Sequence, residues 1–114
     1  MSVKLSTRQV GDVSVVDVAG RITLGEGSSA LRDLLKEMVG KGQKKILLNL
    51  GDVSYIDSSG IGELVSGFTT VTNNGGEMKL LNLNKRVKDL LQITKLYTVF
   101  DVHDEEAHAI RAFA

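Results

Sequence analysis

The chain has 114 residues, of which 42% are hydrophobic and 25% charged, and its 14 Lys and Arg balance its 14 Asp and Glu. That length makes one domain, residues 1–114, with room for a proper core. The neutral balance supplies no drive toward nucleic acid or an anionic membrane. The absence of cysteine excludes disulfides, thiolate metal sites and a cysteine nucleophile.

In chain order, Val3, Leu5 and Thr7 alternate with polar residues, so 3–9 reads as a half-buried strand. Gly11-Asp12 is a hairpin turn into a second strand carrying Val13, Val15, Val16 and Val18 and ended by Gly20. The loop Gly25 to Gly27 leads through Ser28 and Ser29 to a helix with Leu31, Leu34, Leu35, Met38 and Val39 on its apolar face, stopped by Gly40 and Gly42. Residues 45–50, with Ile46, Leu47, Leu48 and Leu50, read as a strand covered on both faces. Ile61, Leu64, Val65, Phe68 and Val71 give a further helix, which Asn73-Asn74-Gly75-Gly76 breaks. Met78 to Leu83 is a buried strand, and Asn84 is an N-cap for a helix with Val87, Leu90 and Leu91. Residues 99–102 form a last strand, and Asp104 caps a short helix ending near Phe113.

Strands alternating with helices imply βαβ units and a largely parallel sheet, preceded by an N-terminal antiparallel hairpin. The expectation is one mixed α/β domain with four to five strands and about four helices. Without proline, its turns fall to Gly, Asn, Asp and Ser. No stretch resembles a signal peptide or a membrane span, so a cytoplasmic location without membrane association is expected.

The most informative segment is Asp57-Ser58-Ser59-Gly60, where an apolar run gives way to a helix. A serine hydroxyl there sits at the positive end of a helix dipole, beside unpaired backbone N–H groups. The position suits a cap, a phosphoacceptor or an anion site. A cap accounts for one oxygen. It does not account for Gly60 and Gly62 together, each of which weakens a helix start by roughly 1 kcal/mol relative to Ala. Small residues leave backbone open to a close partner, which points to a docking or modification surface.

Tyr55-Ile56-Asp57-Ser58-Ser59-Gly60-Ile61-Gly62 resembles the signature of the STAS-domain family of bacterial anti-sigma factor antagonists. The resemblance runs over nearly the whole chain, through Val18-Ala19-Gly20, Leu48-Asn49-Leu50, Gly75-Gly76 and Ile93-Thr94-Lys95-Leu96. It implies the STAS fold, with Ser58 as phosphoacceptor and Asp57, Ser59 and Gly60 supporting it. Asp57 either caps the turn or orients the Ser58 hydroxyl and helps a kinase take its proton. Ser59 serves as a cap or turn donor, and Gly60 allows close backbone approach. The resemblance also implies a partner-switching cycle without enzymatic activity in the domain itself. The unphosphorylated antagonist binds an anti-sigma factor that is also a serine kinase of the histidine-kinase-like ATPase type, and a sigma factor is freed. Phosphorylation releases the antagonist, and a PP2C-type phosphatase resets it.

Partner contacts are expected at Ile61, Gly62 and Glu63 and in the loop after the second strand, at Thr23, Gly25 and Glu26. That loop departs from the family's commoner pattern, in which Glu then Asp follow the glycine; here Arg21 and Thr23 stand instead. Thr23-Leu24-Gly25-Glu26 equally fits a capping box.

No cofactor or metal site is expected. Gly25-Glu26-Gly27 and Gly60-Ile61-Gly62 lack the Lys of a P-loop and the third Gly of a dinucleotide fingerprint. The segment Asp57 to Gly60 is not a Gly-x-Ser-x-Gly elbow. His103 and His108 are five apart, off the spacing of a helical metal pair, and Lys44-Lys45 and Lys85-Arg86 read as solvated rims. A monomer or weak dimer is expected. The alternative to the switch is a STAS scaffold that does not cycle, serving another signalling, lipid-transport or stress-sensing system.

Overall fold

The computed structural model describes residues 3–113, apart from the side chain of Glu26. The elements are β1 (Val3–Val10), β2 (Val13–Ile22), α1 (Glu26–Gly40), β3 (Lys45–Ile56), α2 (Ser58–Asn73), β4 (Glu77–Leu81), α3 (Lys85–Ile93), β5 (Val102–His103) and α4 (Glu106–Ala112). The five strands lie side by side in sequence order. β1 and β2 pair antiparallel, with Val10 opposite Val13 across the Gly11-Asp12 turn. β2 to β5 are parallel. The fold is therefore the mixed, mostly parallel α/β sheet with four helices that the periodicity implies.

Strand alternation explains the unbroken apolar run of β3. Ile46, Leu48 and Leu50 face the larger core, shared with Leu31 and Leu35 of α1, Ile61 and Leu64 of α2, and Val87 and Leu91 of α3. Leu47 points the other way, into a smaller core with Val13, Val15 and Leu81 that Ala109 and Phe113 cover at the C-terminal end. Arg8 fastens that end by bonding both Asp17 of β2 and Glu106 of α4. Together these bonds hold the Asp17 and Glu106 carboxyls below the ordinary carboxylate range.

Several boundaries differ from the sequence expectation, each for a physical reason. Gly20 does not end β2; it takes φ 97° where the pairing of β2 with β3 slips, and the strand runs on to Ile22. A glycine at positive φ absorbs a bulge at no steric cost. β3 likewise extends past Leu50, because its end pairs with that bulged end of β2, Tyr55 opposite Arg21 and Ile56 opposite Ile22. The capping box at Thr23 does not form: Gly25 (φ 96°) is the N-cap of α1, without a side-chain bond, and the helix already starts at Glu26. β4 stops at Leu81 because Asn82 adopts φ 62°. Asn84 caps α3 as expected, accepting from the Val87 N–H at 2.9 Å.

The last strand is only Val102–His103. The apolar signal at Phe100 reflects packing instead: Phe100 is buried and meets Phe68 edge to face at 5.6 Å, while Val99 is exposed. Glu105, not Asp104, is the N-cap of α4, and it makes no side-chain bond there.

Candidate functional site at the start of the second helix

β3, the central strand, carries Tyr55 and Ile56 to the C-terminal end of the parallel strands, and the chain turns into α2 at Asp57. Asp57 keeps extended backbone (φ −105°, ψ −175°), and its Oδ1 accepts the Gly60 N–H at 2.9 Å. Its Oδ2 accepts the Leu24 N–H at 3.2 Å. Its own N–H donates to the Ile22 carbonyl at 3.3 Å. One carboxylate thus caps α2 and pins the β2–α1 loop to it. These backbone donors, Gly60 first and then Leu24 and Ser59, hold the Asp57 carboxyl below its ordinary range. Stabilising the charged form favours the cap over proton acceptance.

With Asp57 as cap, Ser58 is released from that duty. It is the first residue of α2 and is exposed. Among the described residues its hydroxyl has no hydrogen-bond partner. Ser59 is half-buried and contributes its amide to Asp57. Gly60 is buried; a Cβ there would run into the Ile22 carbonyl oxygen and lie 2.6 Å from Ile56 Cγ1. Its smallness is an internal packing requirement. Gly62 is the opposite case, exposed and with nothing within 4 Å of the place a Cβ would take.

The remaining residues singled out in the sequence divide. Thr23 is half-buried and its carbonyl accepts the Ser28 N–H at 3.1 Å, while Gly25 is exposed. The side chain of Glu26 lies outside the described residues. Ile61 is only 3% exposed and belongs to the core. Glu63 is taken by Arg32 of α1 at 3.1 Å, with its side chain 16% exposed. Of these residues, Ser58, Gly62 and Gly25 remain exposed.

Four further exposed side chains lie near this turn: Leu24, Lys85, Arg86 and Ile93. Leu24 is 78% exposed at the loop tip; a leucine beside Gly25 in a loop was the available signal. Lys85 and Arg86 are exposed, as a solvated rim should be. They share one open groove of about 780 Å³ with Tyr55, Asp57, Ser58 and Ile93. Ile93 is 77% exposed there. No sequence pattern joins α3 to the start of α2, because only the sheet order brings them together. The histidines lie elsewhere: His103 contacts Asp101 at 2.9 Å, and His108 is exposed on α4.

Five strands in sequence order, the first two an antiparallel hairpin, with a free serine opening the helix after the central strand, define a class. The chain belongs to the STAS-domain family, whose model matches residues 4–109. Among particular proteins, the anti-sigma-B factor antagonist of Bacillus subtilis is 33% identical over 102 residues, spanning 90% of this chain and 92% of that one. The anti-sigma F factor antagonist of Paenibacillus polymyxa is 25% identical over 111 residues, 96% of this chain and 94% of its own. A solved structure of a candidate anti-sigma factor antagonist from Thermotoga maritima matches with a TM-score of 0.85 at 25% identity, covering 96% of this chain and 93% of that one. Among the described residues, no helix is long and apolar enough to cross a membrane.

Proposed function

We propose that this chain is an anti-sigma factor antagonist working by partner switching, a cytoplasmic binding module and not an enzyme. Its unphosphorylated form binds an anti-sigma factor that is also a serine kinase of the histidine-kinase-like ATPase type, and so releases a sigma factor. The kinase phosphorylates Ser58 and is released, and a PP2C-type phosphatase restores the binding form. The observation that carries the reading is the division of labour at the start of α2: Asp57 makes the cap, leaving Ser58 exposed with a free hydroxyl.

The energetics fit a local switch. A phosphate adds roughly −1.5 to −2 charge beside the Asp57 carboxylate. At a helix N-terminus that charge is tolerated by the folded domain. Inside a docked interface, an unpaired polar group costs several kcal/mol, on the order of a thousandfold in affinity. Leu24 and the open surface at Gly62 supply the apolar anchor and the close approach that docking needs.

The test is to incubate the protein with ATP and the ATPase-type kinase of its own genome and to measure intact mass. One phosphate is expected, abolished by Ser58→Ala and removed by the PP2C-type phosphatase. Absence of uptake, with the fold intact, would turn the assignment to a STAS scaffold that does not cycle.

A further inference from the structure

The groove beside Ser58 carries an unusual placement of charge. α3 opens with Lys85 and Arg86, and both line the groove together with Tyr55, Asp57 and Ser58. Lys85 is neutralised one turn on by Asp89 at 2.9 Å. Arg86 has no carboxylate partner among the described residues. Its guanidinium lies 5.2 Å from the centre of the Tyr55 ring. The Arg21 guanidinium stands 4.7 Å from the centre of the same ring, and it too has no carboxylate partner among the described residues. Two like charges are thus gathered on one aromatic ring without a counter-ion. Each gains a cation–π contact, but the pair repels, and both would be better served by an anion.

We infer that Arg86, assisted by Lys85, is the receptor for the phosphate of Ser58. The inference rests on the reading of Ser58 as the modified residue and goes beyond it, because it says where the phosphate goes. Guanidinium presents paired N–H donors that match phosphate oxygens. The anion is tethered in the same groove, so the contact forms at a high effective concentration with no outside ligand. Asp57 and Asp89 are the like charges facing the phosphate from α2 and α3, and Lys85 and Arg86 are the opposing ones. Closing this contact spans the groove between α2 and α3. The phosphorylated protein then occupies with its own side chains a surface that it leaves open when unmodified.

The test uses the full chain with phosphoserine inserted at position 58 during translation, so no kinase is needed. The second ionisation of the phosphate is followed by phosphorus NMR in the unsubstituted chain, in Arg86→Gln and in Lys85→Gln. Arg86→Gln should raise the midpoint by about 0.2–0.7 pH unit, the scale of an exposed ion pair, and Lys85→Gln should raise it less. Arg86→Lys should restore part of the shift, and Arg111→Gln, on α4, should leave it unchanged. The Arg86 Nε–H resonance should also move on phosphorylation. A midpoint that ignores Arg86→Gln, with that resonance unmoved, would overturn the inference. A kinase that fails to modify Ser58 would sink the switching cycle while leaving this measurement intact.

Discussion

Removing the Asp57 side chain should separate the two tasks that its carboxylate performs. Asp57→Ala deletes the cap on the Gly60 N–H, 2.9 Å away, and the tether to the Leu24 N–H, 3.2 Å away. Loss of an N-cap costs about 1 kcal/mol, within a range of 0.5–2. The second bond is solvent-exposed and adds about 0.5 kcal/mol. For a domain of this size each kcal/mol corresponds to roughly 4 °C, so the melting temperature should fall by about 4–10 °C. Asp57→Asn keeps a good capping oxygen and should lose less than half as much. Circular dichroism melts at neutral pH measure both. Amide NMR should show the Leu24 resonance moving in Asp57→Ala, because the loop has lost its anchor. An Asp57→Ala variant as stable as the parent, or an Asp57→Asn variant as unstable as Asp57→Ala, would refute this account of the helix start.

The two glycines of the signature should behave oppositely. Gly60→Ala forces a methyl group against the Ile22 carbonyl and Ile56 and should destabilise by about 1–3 kcal/mol in urea unfolding. Gly62→Ala enters open space, so it should leave stability unchanged or raise it by up to about 1 kcal/mol, yet weaken partner binding by calorimetry. Acid should also be destabilising. The carboxyls of Asp17, Asp57, Asp101 and Glu106 are all held below their ordinary range in the folded chain. Their contribution is complete above the unfolded-state values near ~4 and is lost as pH falls through the lowered folded values. Urea midpoints should therefore hold from pH 7 to 5 and drop below pH 4; midpoints that rise on acidification would contradict the assignment.

The sheet was legible because burial imposes simple periods. Val13 to Val18, Ile46 to Leu50 and Leu31 to Val39 all lie in the elements their spacing implies. The boundaries were not legible where tertiary contacts override local signals. Gly20 looks like a stop but is a bulge inside β2, and Phe100 looks like strand but packs on Phe68. At the start of α2, the structure divides the motif's labour: Asp57 caps and Gly60 packs. Ile61 and Glu63 look like surface neighbours of Ser58, but the helical repeat turns Ile61 into the core and gives Glu63 to Arg32. Arg86 could not be linked to Ser58 from sequence, since its place in the groove depends on α3 crossing beside the end of β3.

The central claim is that charge on Ser58 decides whether the partner stays bound. Calorimetric titration of the anti-sigma factor with the unmodified chain and with the chain carrying phosphoserine at position 58 tests it most directly. The account predicts that both are folded, with matching circular dichroism spectra, and that phosphoserine weakens binding by a factor on the order of a thousand. Equal affinity of the two folded forms for the anti-sigma factor would contradict it.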